Sequence, residues 1–541
     1  MSEHVFGIDL GTTYSAIAYI NDYGRPEVIR NSEGDETTPS VVFFESEYNY
    51  VVGREAKNGA IVYRDQTVSL IKRQMGTATQ LEFFGQPFFP ETISAVILKD
   101  LVASARDATG IDTNDVVITV PAYFGLAEKE ATRQAGEIAG LNVVGVITEP
   151  VAAALSTGLK GDAEKSLLVY DLGGGTFDCT IMRVSPDGIE VLVTDGNRLL
   201  GGADWDSMLF DLVAEKFRNQ AGLSEDPVDD EDFAQRLLTE VETCKMTLSR
   251  KEKASIKCSF GSAVEMVEIT RAEFESGTRH LVDQTLDIVA RAMEAAQEKS
   301  PGLGYDDVLL VGGSSRMPMI ETSLHERFGW TLTKTEFDLA VAKGAAIYGQ
   351  GTAGWVDPVT GADTGAAAAL GDVPQDDSQG RTLLIGGRAM TIANVLSRSI
   401  GVQFVRDGAH PGQVEEYIGF LAHAQASLPL EIRETPETYS DDTTELSIRI
   451  FEQTGEAESE TIADNREITP EAGATFTGLP RLPKGSPIEV RLAIDAEGLA
   501  TLSAVEPRSG QQLTVTATLS VMQKEELAAA TKIVAGMQRA V

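Results

Sequence analysis

Cysteine is nearly absent from this chain: Cys179, Cys244 and Cys258 are the only three in 541 residues. Their spacing matches no zinc pattern and an odd number cannot all pair, so the expectation is buried, reduced thiols rather than a disulfide framework. Basic residues are also scarce, with 45 lysines and arginines against 82 aspartates and glutamates and a net charge of −37. That balance speaks against a nucleic-acid-binding surface, which needs a basic patch, and favours solubility. The five histidines form no H-E-x-x-H or similar pattern, so none is assigned a catalytic role. No apolar run approaches the length that spans a bilayer, and the first strand begins without a charged and apolar leader. A cytoplasmic protein that binds neither membrane nor nucleic acid is expected.

Two glycine-rich segments stand out against this background, VFGIDLGTTYSAIAYI from Val5 to Ile20 and LLVYDLGGGTFDCTIMRV from Leu167 to Val184. In each, an apolar strand ends in a carboxylate, Asp9 or Asp171, and runs into a turn. Gly11, Thr12 and Thr13 in one copy, and Gly173, Gly174, Gly175 and Thr176 in the other, let the backbone approach a ligand closely and aim N–H groups inward, as a phosphate requires. A second β-rich run follows each turn, so the pattern is a hairpin. The G-x-x-x-x-G-K-[ST] loop is absent. Two similar half-sites far apart in sequence imply one nucleotide clamped between two lobes, and oxygen donors beside phosphates suit a hydrated Mg²⁺. A third apolar strand, Val308 to Val311, runs into Gly312, Gly313, Ser314, Ser315 and Arg316 without a terminal acid and suits the nucleoside end.

The length allows three or four compact units. Helical patterns at Thr92 to Ala108, Gly125 to Ala139, Ser207 to Gln220 and Phe274 to Lys299 indicate α/β lobes. Gly, Ala and Asp dominate from Gln350 to Gly380, which reads as a linker. Strand-like runs at Ser447 to Phe451, Pro487 to Asp495, Ala500 to Val505 and Leu513 to Leu519 indicate an antiparallel β domain. The acidic run Ser224 to Asp232 reads as a solvated loop, because like charges repel and a metal needs convergent donors.

Together with Ile147, Thr148, Glu149, Pro150 and the VAAAL that follows, these segments resemble the Hsp70 (DnaK-like) chaperone family, and more loosely actins and sugar kinases. VPAYF from Val120, LGGAD from Leu200 and AVAKGAA from Ala340 match the same family, and the stretch LPRLPKGSPIEVRLAIDAEGLATLSAVEPRSGQQLTV resembles its peptide-binding β-sandwich. The resemblance implies a bilobed actin-like (duplicated ribonuclease H-like) α/β ATPase domain over 1–350, a linker over 351–390, a β-sandwich over 391–522 and a short C-terminal helix over 523–541. It implies ATP hydrolysis to ADP with Mg²⁺, control of binding to unfolded polypeptide, J-domain and nucleotide-exchange partners, and a monomer.

Carried over residue by residue, the family pattern implies that Asp9 and Asp171 hold Mg²⁺ through water, with the threonine and glycine turns around the β- and γ-phosphates. Gly201 and Gly202 close over phosphate from the second lobe. Lys72 in LIKRQMG matches the family's catalytic lysine, which from the residues alone also reads as a surface lysine. Glu149, Thr176 and Asp178 complete the catalytic set. Pro121 matches a proline that relays nucleotide state. Tyr14, Glu242, Lys245, Ser249, Gly312, Gly313, Ser314, Arg316 and Asp338 extend the nucleotide site.

Three departures qualify the resemblance. Met246 stands where the family has an arginine against the base, so weaker nucleotide retention is expected. The coupling segment is either TLLI after Arg381 or the run Met390 to Val395. Only Gln523 to Val541 follows the β domain, enough for one helix of about five turns, so a lidless form with fast peptide release is expected. Peptide-contacting loops between Gly401 and Thr438 carry no recognisable match. A nucleotide-gated module serving one dedicated partner stays open as the alternative to a general chaperone.

Overall fold

A computed structural model describes residues 4–157, 164–334, 336, 339–353, 381–385, 388–408, 410, 413–455, 457–468, 475–496, 498, 500–516, 522 and 524–540. Asp338 and most of the Gly/Ala/Asp-rich segment lie outside the described residues. Two lobes repeat one motif. In the first, Phe6–Asp9 pairs antiparallel with Tyr14–Ile20 and parallel with Asp115–Val120, which pairs parallel with Asn142–Thr148. In the second, Lys165–Leu172 pairs antiparallel with Phe177–Ser185 and parallel with Asp307–Val311. The hairpins expected around both glycine turns are present, and each is flanked by a parallel strand on the same side.

The helices follow from apolar periodicity and clear punctuation. Pro90–Thr109 starts on a proline and stops at Gly110 in the left-handed region, while Gly202–Ala221 stops in the same way at Gly222. Arg271–Lys299 opens with a capping box between Thr270 and Glu273. Asp226 and Asp230 of the acidic run cap a short turn and the helix Glu231–Leu248, so two of its charges serve helix starts. Between the lobes, Glu149–Ser156 and Ala340–Ala353 cross closely, with Ala152, Ala153, Val341 and Ala345 buried in one core.

The β-sandwich joins a sheet of Val414–Ala422, Ile400–Asp407, Ile450–Gln453 and Asn465–Glu467 to a second of Leu430–Glu434, Glu489–Ile494, Ala500–Glu506 and Gln511–Thr516. The run expected as one strand over Ser447 to Phe451 is divided: Thr443–Ser447 pairs with Thr475–Leu482, and Ile450–Gln453 belongs to the first sheet. Long-range pairing overrides local β propensity here.

Two segments differ from expectation. Arg381–Ile385 and Arg388–Ala393, within or across the end of the stretch read as linker, form a hairpin that completes the second-lobe sheet, with Gly188↔Thr391 and Ile189↔Ile392 in parallel register. The strand containing Met390 and Ile392 therefore pairs with the lobe's sheet directly, and Arg381–Ile385 is the edge strand beyond it, with Leu383 buried in the same core. At the other end, the helix is Lys524–Gly536 and stops there; Gln538–Arg539 is extended and pairs with Asn49–Val52 of the first lobe.

Candidate functional site

Both aspartate-bearing strand ends open into one cleft of about 460 Å³ between the lobes. The first lobe supplies Asp9, Gly11, Thr12, Thr13, Tyr14, Lys72 and Glu149 to its wall. The second supplies Asp171, Gly173, Gly174, Thr176, Glu242, Lys245, Ser249, Gly312, Gly313, Ser314 and Arg316. Among the other expected residues, Gly201 and Gly202 brace the Gly173–Gly175 turn from behind: Gly202 N–H donates to Gly173 O at 2.9 Å, and Ala203 N–H to Gly174 O at 2.7 Å. The two turns meet at glycine, since a Cβ on Gly174 would lie 2.0 Å from Thr13 Oγ1 and one on Gly175 2.4 Å from Thr12 Cγ2. Gly312 has φ +80°, and a side chain there would strike Leu172 O.

The end of the cleft lined by Lys72 and Glu149 is buried and strongly coupled. Lys72 sits on the short turn Ile71–Gln74, and its Nζ lies 2.6 Å from Glu149 Oε1, with side chains only 5% and 10% exposed. Sequence reasoning put both residues near the reacting phosphate but did not anticipate this ion pair. Asp178 is buried behind them, and its Oδ1 accepts the Tyr123 N–H at 3.2 Å. Burial, then the Glu149 and Asp171 charges, holds the Asp178 carboxyl well above the usual range, with Lys72 opposing in part. Its Oδ2 has no hydrogen-bond partner among the described residues.

The donor set fits Mg²⁺. Asp9 and Asp171 face the cleft with hydroxyl and backbone donors, and no group of three or more His, Cys, Asp or Glu converges into a cage among the described residues. Magnesium keeps several waters and binds through one or two carboxylates plus phosphate oxygens, so a close cage is not required.

The wall around Met246 is more exposed. Lys245 Nζ bonds Asp206 Oδ2 at 2.7 Å and Gly202 O at 2.7 Å. Lys57, from the first lobe, pairs with Glu242 of the second and donates to Tyr14 Oη at 3.1 Å. Burial alone would raise Glu242, but Lys57 holds its carboxyl below the usual value. Met246 lines the same wall and is 49% exposed.

Three neighbours escaped the sequence reading. Arg73 Nε donates to Gly175 O at 2.9 Å and its Nη2 to Asp204 Oδ2 at 2.6 Å, tying the Lys72 turn to the opposite lobe. Its place beside Lys72 was an available signal. Asp206 lies in LGGADWD and was equally visible, whereas Lys57 has no local signature.

The segment that follows Asp115–Val120 touches both the cleft and the sandwich. Tyr123 N–H reaches Asp178, Phe124 O accepts Ser397 Oγ–H at 2.9 Å, and Leu126 N–H donates to Glu452 Oε1 at 2.7 Å. Glu128 lies within 3.5 to 3.7 Å of Arg398, Arg466 and Arg198. From the second lobe, Thr194 N–H donates to Gln425 Oε1 at 3.0 Å and Thr194 O accepts Gln425 Nε2–H at 2.6 Å. The sandwich is thus seated on both lobes.

A duplicated hairpin clamp around an oxygen-lined cleft, with a β-sandwich resting on the segment behind the cleft, defines the class: a two-lobed nucleotide-binding ATPase with an attached output domain. The family model described as Hsp70 protein matches residues 5–83 and 77–365. The chain is 35% identical over 524 residues to the Chaperone protein DnaK of Halobacterium salinarum, covering 95% of this chain and 75% of that protein. It is 36% identical over 524 residues to the Chaperone protein DnaK of Thermosipho melanesiensis, covering 95% and 80%, and 35% identical over 526 residues to that of Thermotoga petrophila, again covering 95% and 80%. The chain belongs to the Hsp70 family. Its fold is the family's actin-like ATPase followed by a β-sandwich, and its activity is that of an ATP-dependent chaperone, an ATPase using ATP, ADP and Mg²⁺.

Proposed function

We propose that hydrolysis takes place at the phosphate end of the cleft, with Lys72 placed against the γ-phosphate and the attacking water. The buried Lys72–Glu149 pair at 2.6 Å carries this reading: a paired cation beside two strand-end aspartates can meet developing negative charge without first being desolvated. When bound, Mg²⁺ supplies charge neutralisation to the phosphates, with Asp9 and Asp171 holding its water shell. Thr12, Thr13, Gly173, Gly174 and Thr176 place the β- and γ-phosphates. Asp178 accepts the Tyr123 N–H and fixes that backbone, which leads to Pro121 on one side and the sandwich on the other. Glu242, Lys245, Ser249, Gly313, Ser314 and Arg316 receive the nucleoside.

The ligand of the sandwich is unfolded polypeptide in this reading, with a J-domain co-chaperone and a nucleotide exchange factor acting on the ATPase, and the chain works as a cytoplasmic monomer. The three free cysteines are all buried, which suits a reducing compartment. Among the described residues no helix is long and apolar enough to cross a membrane. We retain the division into 1–350, 351–390, 391–522 and 523–541 for function, with the hairpin ending at Ala393 as the coupling element.

The test is ATP turnover with and without an unfolded polypeptide, with Lys72→Ala as control. Stimulation by several unrelated unfolded chains supports a general chaperone. Lys72-dependent turnover that no unfolded chain stimulates transfers the protein to the dedicated-partner alternative.

A further inference from the structure

The short turn Ile71–Gln74 is held in the first lobe by its own side of the cleft. Ile71 and Met75 are no more than 2% exposed and lie in the first-lobe core, Lys72 pairs with Glu149, and Glu91 accepts the Gly76 N–H. Across the cleft, the turn at 173–176 is likewise held from its own side. Gly202 N–H and Ala203 N–H take the carbonyls of Gly173 and Gly174, and Asp204 Oδ2 accepts the Gly201 N–H at 2.7 Å at the start of the helix Gly202–Ala221. The next carbonyl in that row, Gly175 O, is taken from the other lobe. Arg73 Nε donates to it at 2.9 Å, and Arg73 Nη2 donates to Asp204 Oδ2 at 2.6 Å, with the Arg73 side chain only 17% exposed. A guanidinium offers its donors in a fixed fork, so both bonds form together only at one separation of the lobes. The peptide between Gly175 and Thr176 is thereby fixed as well: it is trans, so its N–H points away from the carbonyl that Arg73 holds, and Thr176 lines the cleft.

We propose that Arg73 is a positioning residue for hydrolysis, setting Lys72 against the turn at 173–176 only while the two lobes stand closed. Each lobe completes its own bonds around these turns without Arg73, so the fork is surplus to folding and its two bonds serve alignment across the cleft. Lys72 and Arg73 are adjacent on one short turn anchored by Ile71 and Met75, so a shift of one carries the other. When the lobes part, Gly173 and Gly174 keep their carbonyl partners and Gly175 loses its own. Lys72 then loses its register with the segment that holds Thr176. A displacement of about 1 Å at a reacting group costs about a hundredfold in rate. Bonds made by the immediate neighbours of Lys72 and Thr176 therefore have a leverage on the chemical step that the other bridge between the lobes, Lys57 to Glu242, lacks. The inference rests on the reading that Lys72 serves the γ-phosphate, and its test tells the two apart.

Single-turnover hydrolysis of prebound ATP by the full chain is the measurement. Arg73→Ala should slow it by about ten- to a hundredfold, with ATP and ADP affinities little changed and the melting temperature unchanged. Arg73→Lys keeps the charge but cannot make both bonds, so it should recover part of the loss at most. Lys72→Ala combined with Arg73→Ala should lose less than the product of the two single losses, as groups acting through one another do. A readout free of catalysis is hydrogen exchange without nucleotide. The Gly173 amide, bonded to Thr176 O at 3.0 Å, should exchange about tenfold faster in Arg73→Ala, while the Gly201 amide stays held by Asp204. If Lys72→Ala hydrolyses at the wild-type rate, the reading of Lys72 fails and takes this inference with it. If Lys72→Ala is slow and Arg73→Ala is not, the positioning role alone fails. Losses that multiply in full, a loss confined to nucleotide affinity, a wild-type rate in Arg73→Lys, unchanged exchange at Gly173, or a rate loss that tracks a lower melting temperature overturn it as well.

Discussion

The two ends of the nucleotide cleft are built on different physics. At the phosphate end, Lys72, Glu149 and Asp178 are buried within one charge network, and the turns of the two lobes touch through glycine. At the base end, Met246 is half in solvent, and the cations Lys57 and Lys245 are engaged with Glu242 and Asp206. Charge that is desolvated and fixed acts strongly on a reacting group, while exposed charge is screened. Substitutions at the first end should therefore change chemistry, and those at the second should change how long nucleotide stays.

The sharpest test is Lys72→Ala. Turnover under saturating ATP should fall by about a hundredfold or more, the scale of losing one preorganised electrostatic group, while ATP affinity changes much less. A loss confined to affinity would erase the proposed difference between the ends. Next in size is Glu91→Gln. Glu91 is fully buried and accepts the Gly76 N–H at 3.3 Å, closing the turn that carries Lys72. Burial pushes its carboxyl up to about 7 from an ordinary 4.5. The folded form keeps a proton that the unfolded chain releases between those values, so this group costs stability as pH rises through that window and nothing below it. Glutamine keeps the acceptor and removes the charge. The variant should gain on the order of 2 kcal/mol at alkaline pH and nothing in mild acid, read as a melting shift of the first lobe that vanishes on acidification. An equal shift at both pH values would contradict a desolvated carboxyl.

The contrast between ends was partly legible in the sequence. Strand, aspartate and glycine are contiguous in both hairpins, so local pattern alone marked them, and Gly312–Arg316 followed by the same logic. What makes the phosphate end tight was less visible: Lys72, Glu149 and Asp178 come from three segments, and no local rule pairs them. The hairpin before Ala393 was read as linker because its neighbour is poor in large apolar residues, and its partner strand begins at the distant Gly188. The tail strand is two residues long and paired across nearly the whole chain, so an unbroken helix was the natural expectation. Glycine at 536 and the extended backbone after it decide otherwise. Arg73 was within reach, being adjacent to a residue already singled out.

Met246→Arg probes the base end. A guanidinium there can stack on an adenine face, worth on the order of 1 kcal/mol, so ADP should bind about fivefold more tightly with little change in turnover under saturating ATP. Unchanged ADP affinity, measured by calorimetry, would show that the half-exposed wall at Met246 does not limit nucleotide retention.

The smallest expected effect lies where the two ends share a boundary. Lys57 crosses from the first lobe to Glu242 on the second and also bonds Tyr14, so it holds the cleft closed without touching the reacting groups. Its side chain and that of Glu242 are 27% and 20% exposed, so solvent screens the pair in part and its worth is about 1 kcal/mol or less. Lys57→Ala should speed ADP release by about threefold, on that scale, and leave the chemical step alone in single-turnover measurements. The sign of its pH dependence follows from Glu242, whose carboxyl Lys57 holds below the ordinary 4.5. The bridge is fully present above that value and is lost as pH falls through the lower folded value. Wild-type ADP release should therefore quicken only in acid, and the variant should show no such acceleration. Slower chemistry in Lys57→Ala would mean that the base end reaches the phosphates after all.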